Sequence, residues 1–142
     1  MKTNDDTTNA FIIHISSFVG YLFPFGSIIT PLILWQTQKE KSSFLDEHGK
    51  EAVNFNISFA LYIFILSASF ITFLFRPFLN ILKGIHIDFG DDYSYNSLFG
   101  FLGISSLAGI VILIKIALII IASMKAKEGE LYKYPFTINF IK

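Results

Sequence analysis

The residues with chemistry to offer are concentrated in one short run, Asp46-Glu-His-Gly-Lys-Glu51, and in one isolated cation, Lys115. The run puts carboxylates around an imidazole within two turns of a helix. His48 among Asp46, Glu47 and Glu51 has the residue types of a carboxylate–imidazole metal site. Two-metal bundle sites repeat such Glu-x-x-His units on facing helices. Here there is a single cluster, and Glu51 follows the histidine, so no metal is expected. His48 then reads as a solvated, pH-sensitive turn, with His14 and His86 isolated elsewhere. Asp88, Asp91 and Asp92 imitate a calcium loop without the EF-hand ligand spacing. The chain has no cysteine, which excludes disulfides and thiolate metal centres. No serine–histidine–acid arrangement, phosphate loop or nucleotide fingerprint is present. The expectation is a non-catalytic protein without a cofactor.

Those groups are set in an apolar chain. Hydrophobic residues make up 53% and charged residues 15%, against roughly 25% charged in ordinary soluble proteins. Segments 11–35, 52–75 and 98–124 carry the bias. Each exceeds the roughly 20 apolar residues that cross a hydrocarbon core. A soluble bundle would lack polar surface to cover its outside, so the fold class is an all-α integral membrane protein. With eleven basic and eleven acidic side chains, no basic excess calls for nucleic acid.

Residues 1–10 are polar and read as a flexible, retained N-terminus. The remainder, 11–142, reads as one helical membrane domain. Segment 11–35 is broken by Pro24, Gly26 and Pro31. Two short helices, 11–22 and 27–37, follow, as one kinked span or as a re-entrant hairpin. Trp35 reads as an interfacial anchor. Ser43 with Asp46 three residues on is a capping-box pattern, starting a long helix at Phe44. Glu47, Glu51, Asn54 and Ser58 lie on one face of it and carry a polar stripe into the lipid. Such a stripe must meet a polar partner, because unpaired polar groups there are costly. Arg76-Pro77 ends or bends this helix, giving a loop over 77–97.

In the last span, Gly103, Ser105 and Gly109 have the small-residue spacing of a helix-packing face. Lys115 lies about 13 Å along that helix from Met124, at ~1.5 Å per residue. A buried cation needs a named partner, and the helix entering from the same side offers Glu51 and Asn54. Glu47, His48, Glu51, Asn54 and Lys115 thus form an expected polar network, either a structural ion pair or an ion pathway. Gly129 after Lys125 and Lys127 ends the helix. In the tail 125–142, apolar residues interleave with polar ones, which suits the membrane surface.

Lys39, Lys41 and Lys50 flank the first loop, and Lys125, Lys127, Lys133 and Lys142 follow the last span. Only Arg76 and Lys83 face the other side. The positive-inside rule places 36–51 and the C-terminus in the cytoplasm. A full first span puts the N-terminus outside, and a hairpin puts it inside.

Three stretches carry a resemblance. They are His14-Ile-Ser-Ser-Phe-Val-Gly-Tyr-Leu-Phe-Pro-Phe-Gly-Ser-Ile-Ile-Thr-Pro-Leu-Ile-Leu-Trp35, Phe44-Leu-Asp-Glu-His-Gly-Lys-Glu-Ala-Val-Asn-Phe55 and Gly129-Glu-Leu-Tyr-Lys-Tyr-Pro-Phe-Thr-Ile138. They resemble a family of small bacterial membrane proteins of unknown function grouped with the Tic-twenty-like proteins. Loop 77–97 is longer than that family's usual connection. The resemblance implies a helical protein of the bacterial inner membrane. Through plant relatives in the chloroplast inner-envelope translocon, it implies a place beside a protein-export machine. Two functions follow as expectations. One is an accessory or scaffold subunit with integral membrane partners. The other is a small channel or transporter component, with a homo-oligomer as its form.

Overall fold

In the computed structural model, residues 4–82 and 91–142 are described. All their regular structure is helical. Helix α1 spans Asn4–Ile15, a 3-10 helix follows over Ser16–Tyr21, and α2 covers Gly26–Gln38. Two long helices complete the chain, α3 over Ser43–Leu82 and α4 over Asp91–Lys127. At ~1.5 Å per residue, the 40 residues of α3 and the 37 of α4 both exceed the ~30 Å hydrocarbon thickness. Their apolar stretches, Ser43–Ala68 and Ser105–Lys127, are long enough to cross a membrane. Only 17% of the second is buried inside the chain, the reverse of a soluble core helix. The chain is a small, helical, membrane-embedded protein.

The apolar segment 11–35 contains no helix of spanning length. It is divided at 22–25, where Phe25 takes a left-handed φ of 63° and α2 begins at Gly26. The chain folds back there, so that α2 packs on the 3-10 helix. The approach requires glycine. A Cβ at Gly26 would meet the Val19 carbonyl oxygen at 2.7 Å, and one at Gly20 the Ser27 Cβ at 2.6 Å. Pro31 sits inside α2 and is buried. Of residues 1–10, expected as a flexible N-terminus, 4–10 belong to α1, and Ala10 is fully buried.

Within the expected loop at 77–97, residues 77–82 and 91–97 are helical. Helix α3 runs through Arg76-Pro77 to Leu82, and α4 starts at Asp91. One proline removes one backbone bond, whereas breaking the helix would expose several polar groups beside lipid. His86 and Asp88 lie outside the described residues.

The chain divides into two units. The first comprises Met1–Ala60 and Ile114–Lys142. Its core joins Ala10 and Ile13 of α1, Phe44, Leu45 and Ala52 of α3, and Ala126 of α4, with Leu34 of α2 against them. The second is Leu61–Leu113. Within it, a groove of about 450 Å³ runs between Ile63, Leu66 and Ser67 of α3 and Ser105, Ala108, Gly109 and Ile112 of α4. The small-residue face of α4 therefore borders open space. A Cβ at Gly103 or Gly109 would meet nothing within 4 Å.

Candidate functional site: the charged turn of α3 and its strap

Helix α3 starts one residue earlier than the capping-box reading placed it. The Ser42 hydroxyl accepts the Leu45 amide at 3.3 Å, so Ser42 is the cap and Ser43 lies inside the helix. Asp46 is thereby released for another task. Its carboxylate accepts the Trp35 indole N–H at 2.8 Å and pairs with Lys50 at 2.7 Å. Trp35 is only 5% exposed. It is a packing residue between α2 and α3, not the interfacial anchor expected from its place at the end of an apolar run. Its ring lies on Gly49, where a Cβ would come within 2.1 Å of Cδ1.

His48 is fully buried rather than solvated. Its Nδ1 lies 2.8 Å from Nε2 of His14, and His14 Nδ1 lies 2.9 Å from the Tyr134 hydroxyl. A neutral imidazole offers one donor and one acceptor. With both rings neutral, the protons of this chain therefore point in one direction along it. Burial, and then the charge of His48, push His14 well below its ordinary 6.5. Burial also raises Tyr134 well above 10, helped by Tyr132 and Glu51, so the phenol keeps its proton. Below this cluster, the Asn56 amide donates to the Ser17 hydroxyl at 2.7 Å and to the Ala52 carbonyl at 2.8 Å. Phe44 meets the His48 ring edge-on with centroids 4.3 Å apart.

The polar stripe has a different occupant from the one expected. Glu51, Asn54 and Ser58 bind the C-terminal tail. The Tyr134 amide donates to the Glu51 carboxylate at 3.3 Å. The Ile138 amide donates to the Ser58 hydroxyl at 2.8 Å. Asn54 makes a two-bond clasp on Ile141, accepting its amide and donating to its carbonyl, each at 2.9 Å. The tail thus descends along α3, turns and returns. Tyr134 stacks on Phe55 with centroids 4.0 Å apart and planes within 9°. The tail backbone is strapped to α3, while Phe136 at 85% exposure points outward.

The α4 end is closed by a glycine motif. Gly129 has φ 80°, its amide reaches the Ala126 carbonyl at 3.0 Å, and the Glu130 amide reaches Lys125 at 2.9 Å. Lys115 is placed apart from the other expected network members. Its ammonium lies 5.2 Å from the centroid of the Phe59 ring, a cation–π arrangement. Its expected partners, Glu51 and Asn54, are held by the tail. Glu47 is exposed and lines a polar groove of about 480 Å³ between α3 and the tail.

Of the expected site residues, Glu47, His48, Glu51 and Asn54 fall in one region, Lys115 in another, and Gly103 and Gly109 face open space. Sequence reasoning missed His14, Ser17, Asn56 and Tyr134. Their signal was available: a polar side chain inside an apolar run must find a partner. Asn56 also lies at a helical spacing from His48 and Ala52, on a second face of α3.

Among the described residues, no three His, Asp or Glu side chains gather as a metal site would need. The hydrogen bonds of this arrangement join α1, the 3-10 helix, α3 and the tail. No curated protein and no solved structure matches the chain. A family model for magnetosome magnetite crystal formation proteins does, over residues 5–141. That match overturns the Tic-twenty-like resemblance and removes the translocon analogy drawn from it. The motif around Asp46–Glu51 was read as another family's signature because its residues fix a local packing solution, which specifies no task. With nearly its whole length matched, the chain belongs to the magnetosome magnetite crystal formation protein family.

Proposed function

We propose that this protein is a non-catalytic scaffold subunit of the bacterial inner membrane, carrying its charged end in the cytoplasm and other membrane proteins on α4. One observation carries the reading: the small-residue face of α4 borders a groove of about 450 Å³, with open space at Gly103 and Gly109. In lipid, close helix association depends on such small residues. The family's description names magnetite crystal formation. Carried to this chain, that gives the scaffold a membrane assembly concerned with mineral growth. The reading assigns no iron chemistry to the chain's own side chains.

The orientation rests on the first unit. Lys127 of α4 donates to Thr8 of α1 at 2.8 Å, and α1 packs against the start of α3. The N-terminus, first loop and tail are therefore at one end. The lysines that flank the first loop and follow the last span lie at that end, which supports the cytoplasm and a re-entrant 11–35. A channel would need the α3 stripe to line a wet path, and the tail occupies that stripe.

The test is gentle extraction of a tagged copy at native abundance, comparing the natural chain with Gly109→Leu. Stoichiometric recovery of defined membrane proteins, lost in the variant while the variant stays folded, supports the scaffold. Recovery of a lone chain in both cases overturns it.

A further inference from the structure

The polar groove between α3 and the tail has no role in that scaffold. It holds about 480 Å³ of space, within the size range of small-molecule sites. Glu47, Lys50 and Glu51 line it from α3, and Tyr132, Lys133 and Lys142 from the tail. Several charges at this end of the protein are already paired. Lys50 is paired with Asp46, and Lys125 with Glu128 and Glu130. Glu47, Lys133 and Lys142 are exposed, and among the described residues no ion pair engages them. The groove thus presents free charges of both signs.

Its position selects the ligand. The groove sits on the first turns of the apolar stretch Ser43–Ala68, at the level where a helix passes through headgroups. Leu131, Ile138 and Phe140 of the tail are exposed beside it, offering apolar surface to acyl chains. One wall is fixed in advance, because the Asn54 clasp holds Ile141 in both directions. With Lys50 neutralised by Asp46, Glu47 and Glu51 stand against Lys133 and Lys142, so a zwitterion fits better than a purely anionic group.

We propose that this groove binds the headgroup of a phospholipid carrying a primary ammonium, with the phosphate on Lys133 and Lys142 and the ammonium on Glu47. A primary ammonium donates hydrogen bonds to a carboxylate, and a quaternary one has no N–H to donate. The site therefore favours ethanolamine over choline headgroups. It gives the scaffold a fixed annular lipid, independent of which proteins it contacts.

The experiment uses the full chain in nanodiscs of mixed phosphatidylethanolamine, phosphatidylcholine and phosphatidylglycerol, with retained lipid read by native mass spectrometry. Retention of phosphatidylethanolamine should exceed that of phosphatidylcholine by about tenfold, the scale of one charge-assisted hydrogen bond. Glu47→Gln should abolish that preference and leave phosphate-dependent retention. Lys133→Ala with Lys142→Ala should lower retention of both lipids. Protease resistance of the tail reports whether each variant keeps the strap. Equal retention of ethanolamine and choline lipids by the natural chain, or undiminished retention by the lysine double variant, overturns the proposal. So does displacement of the lipid by millimolar inorganic phosphate, which would make the groove a site for a free anion.

Discussion

Gly49 and Gly109 are both glycines on long helices, and their surroundings are opposite. At Gly49 an added Cβ would sit 2.1 Å from the Trp35 ring, while at Gly109 nothing lies within 4 Å. Gly49→Ala should cost about 1–3 kcal/mol through overpacking. Gly109→Ala should be neutral or gain up to ~1 kcal/mol in helix propensity. Denaturant unfolding in detergent checks both, and equal effects would sink the packing account. The His14–His48 pair makes a second prediction at this scale. His14 is held below its ordinary 6.5 in the folded chain, so the unfolded chain takes up the proton first as pH falls. The stability contributed by keeping His14 neutral is complete above pH 6.5 and declines below it, toward the depressed folded pKa. Melting temperatures between about pH 7.5 and about 4.5 should fall in the natural chain, and fall less in His14→Gln. A flat profile in the natural chain would contradict the buried, neutral assignment.

At the scale of elements, the first turns of α3 are two-sided. Leu45, His48, Ala52 and Asn56 face α1 and the 3-10 helix, whereas Glu51, Asn54 and Ser58 face the tail. One helix thus organises both ends of the chain. The tail is bound mainly through its backbone, so side-chain changes on α3 should release it. Asn54→Ala removes both bonds to Ile141, each worth about 0.5–1.5 kcal/mol net. Cleavage within 131–142 under limited proteolysis should accelerate, with helix content by circular dichroism unchanged. Protection equal to that of the natural chain would mean the strap is held by other contacts, chiefly the Tyr134–Phe55 stack.

At the scale of the whole molecule, sidedness is the open quantity with the sharpest test. The Thr8–Lys127 bond and the shared core of α1, α3 and α4 put the N-terminus with the C-terminal tail. Asn4 is exposed. Asn4→Cys is therefore expected to react with an impermeant maleimide only after the cells are permeabilised. Labelling of intact cells would refute the re-entrant reading of 11–35 and restore a full first span.

The sequence by itself determined the helical membrane class, because apolar run length and charge content are local quantities that a bilayer reads directly. It also determined the break near Pro24–Gly26 and the glycine stop after α4, where backbone geometry depends on the residue present. It marked Asn54 and Glu51 as polar groups that had to find partners. Only the tertiary structure decided which partners. The expected Lys115 pairing was an argument from depth along two helices, which leaves azimuth and competitors undetermined. The tail competes for the same groups with backbone donors and acceptors that no side-chain pattern announces. The His14–His48–Tyr134 chain joins residues 120 positions apart in sequence, and its formation depends on the fold-back at 22–25 and the turn after Gly129 acting together.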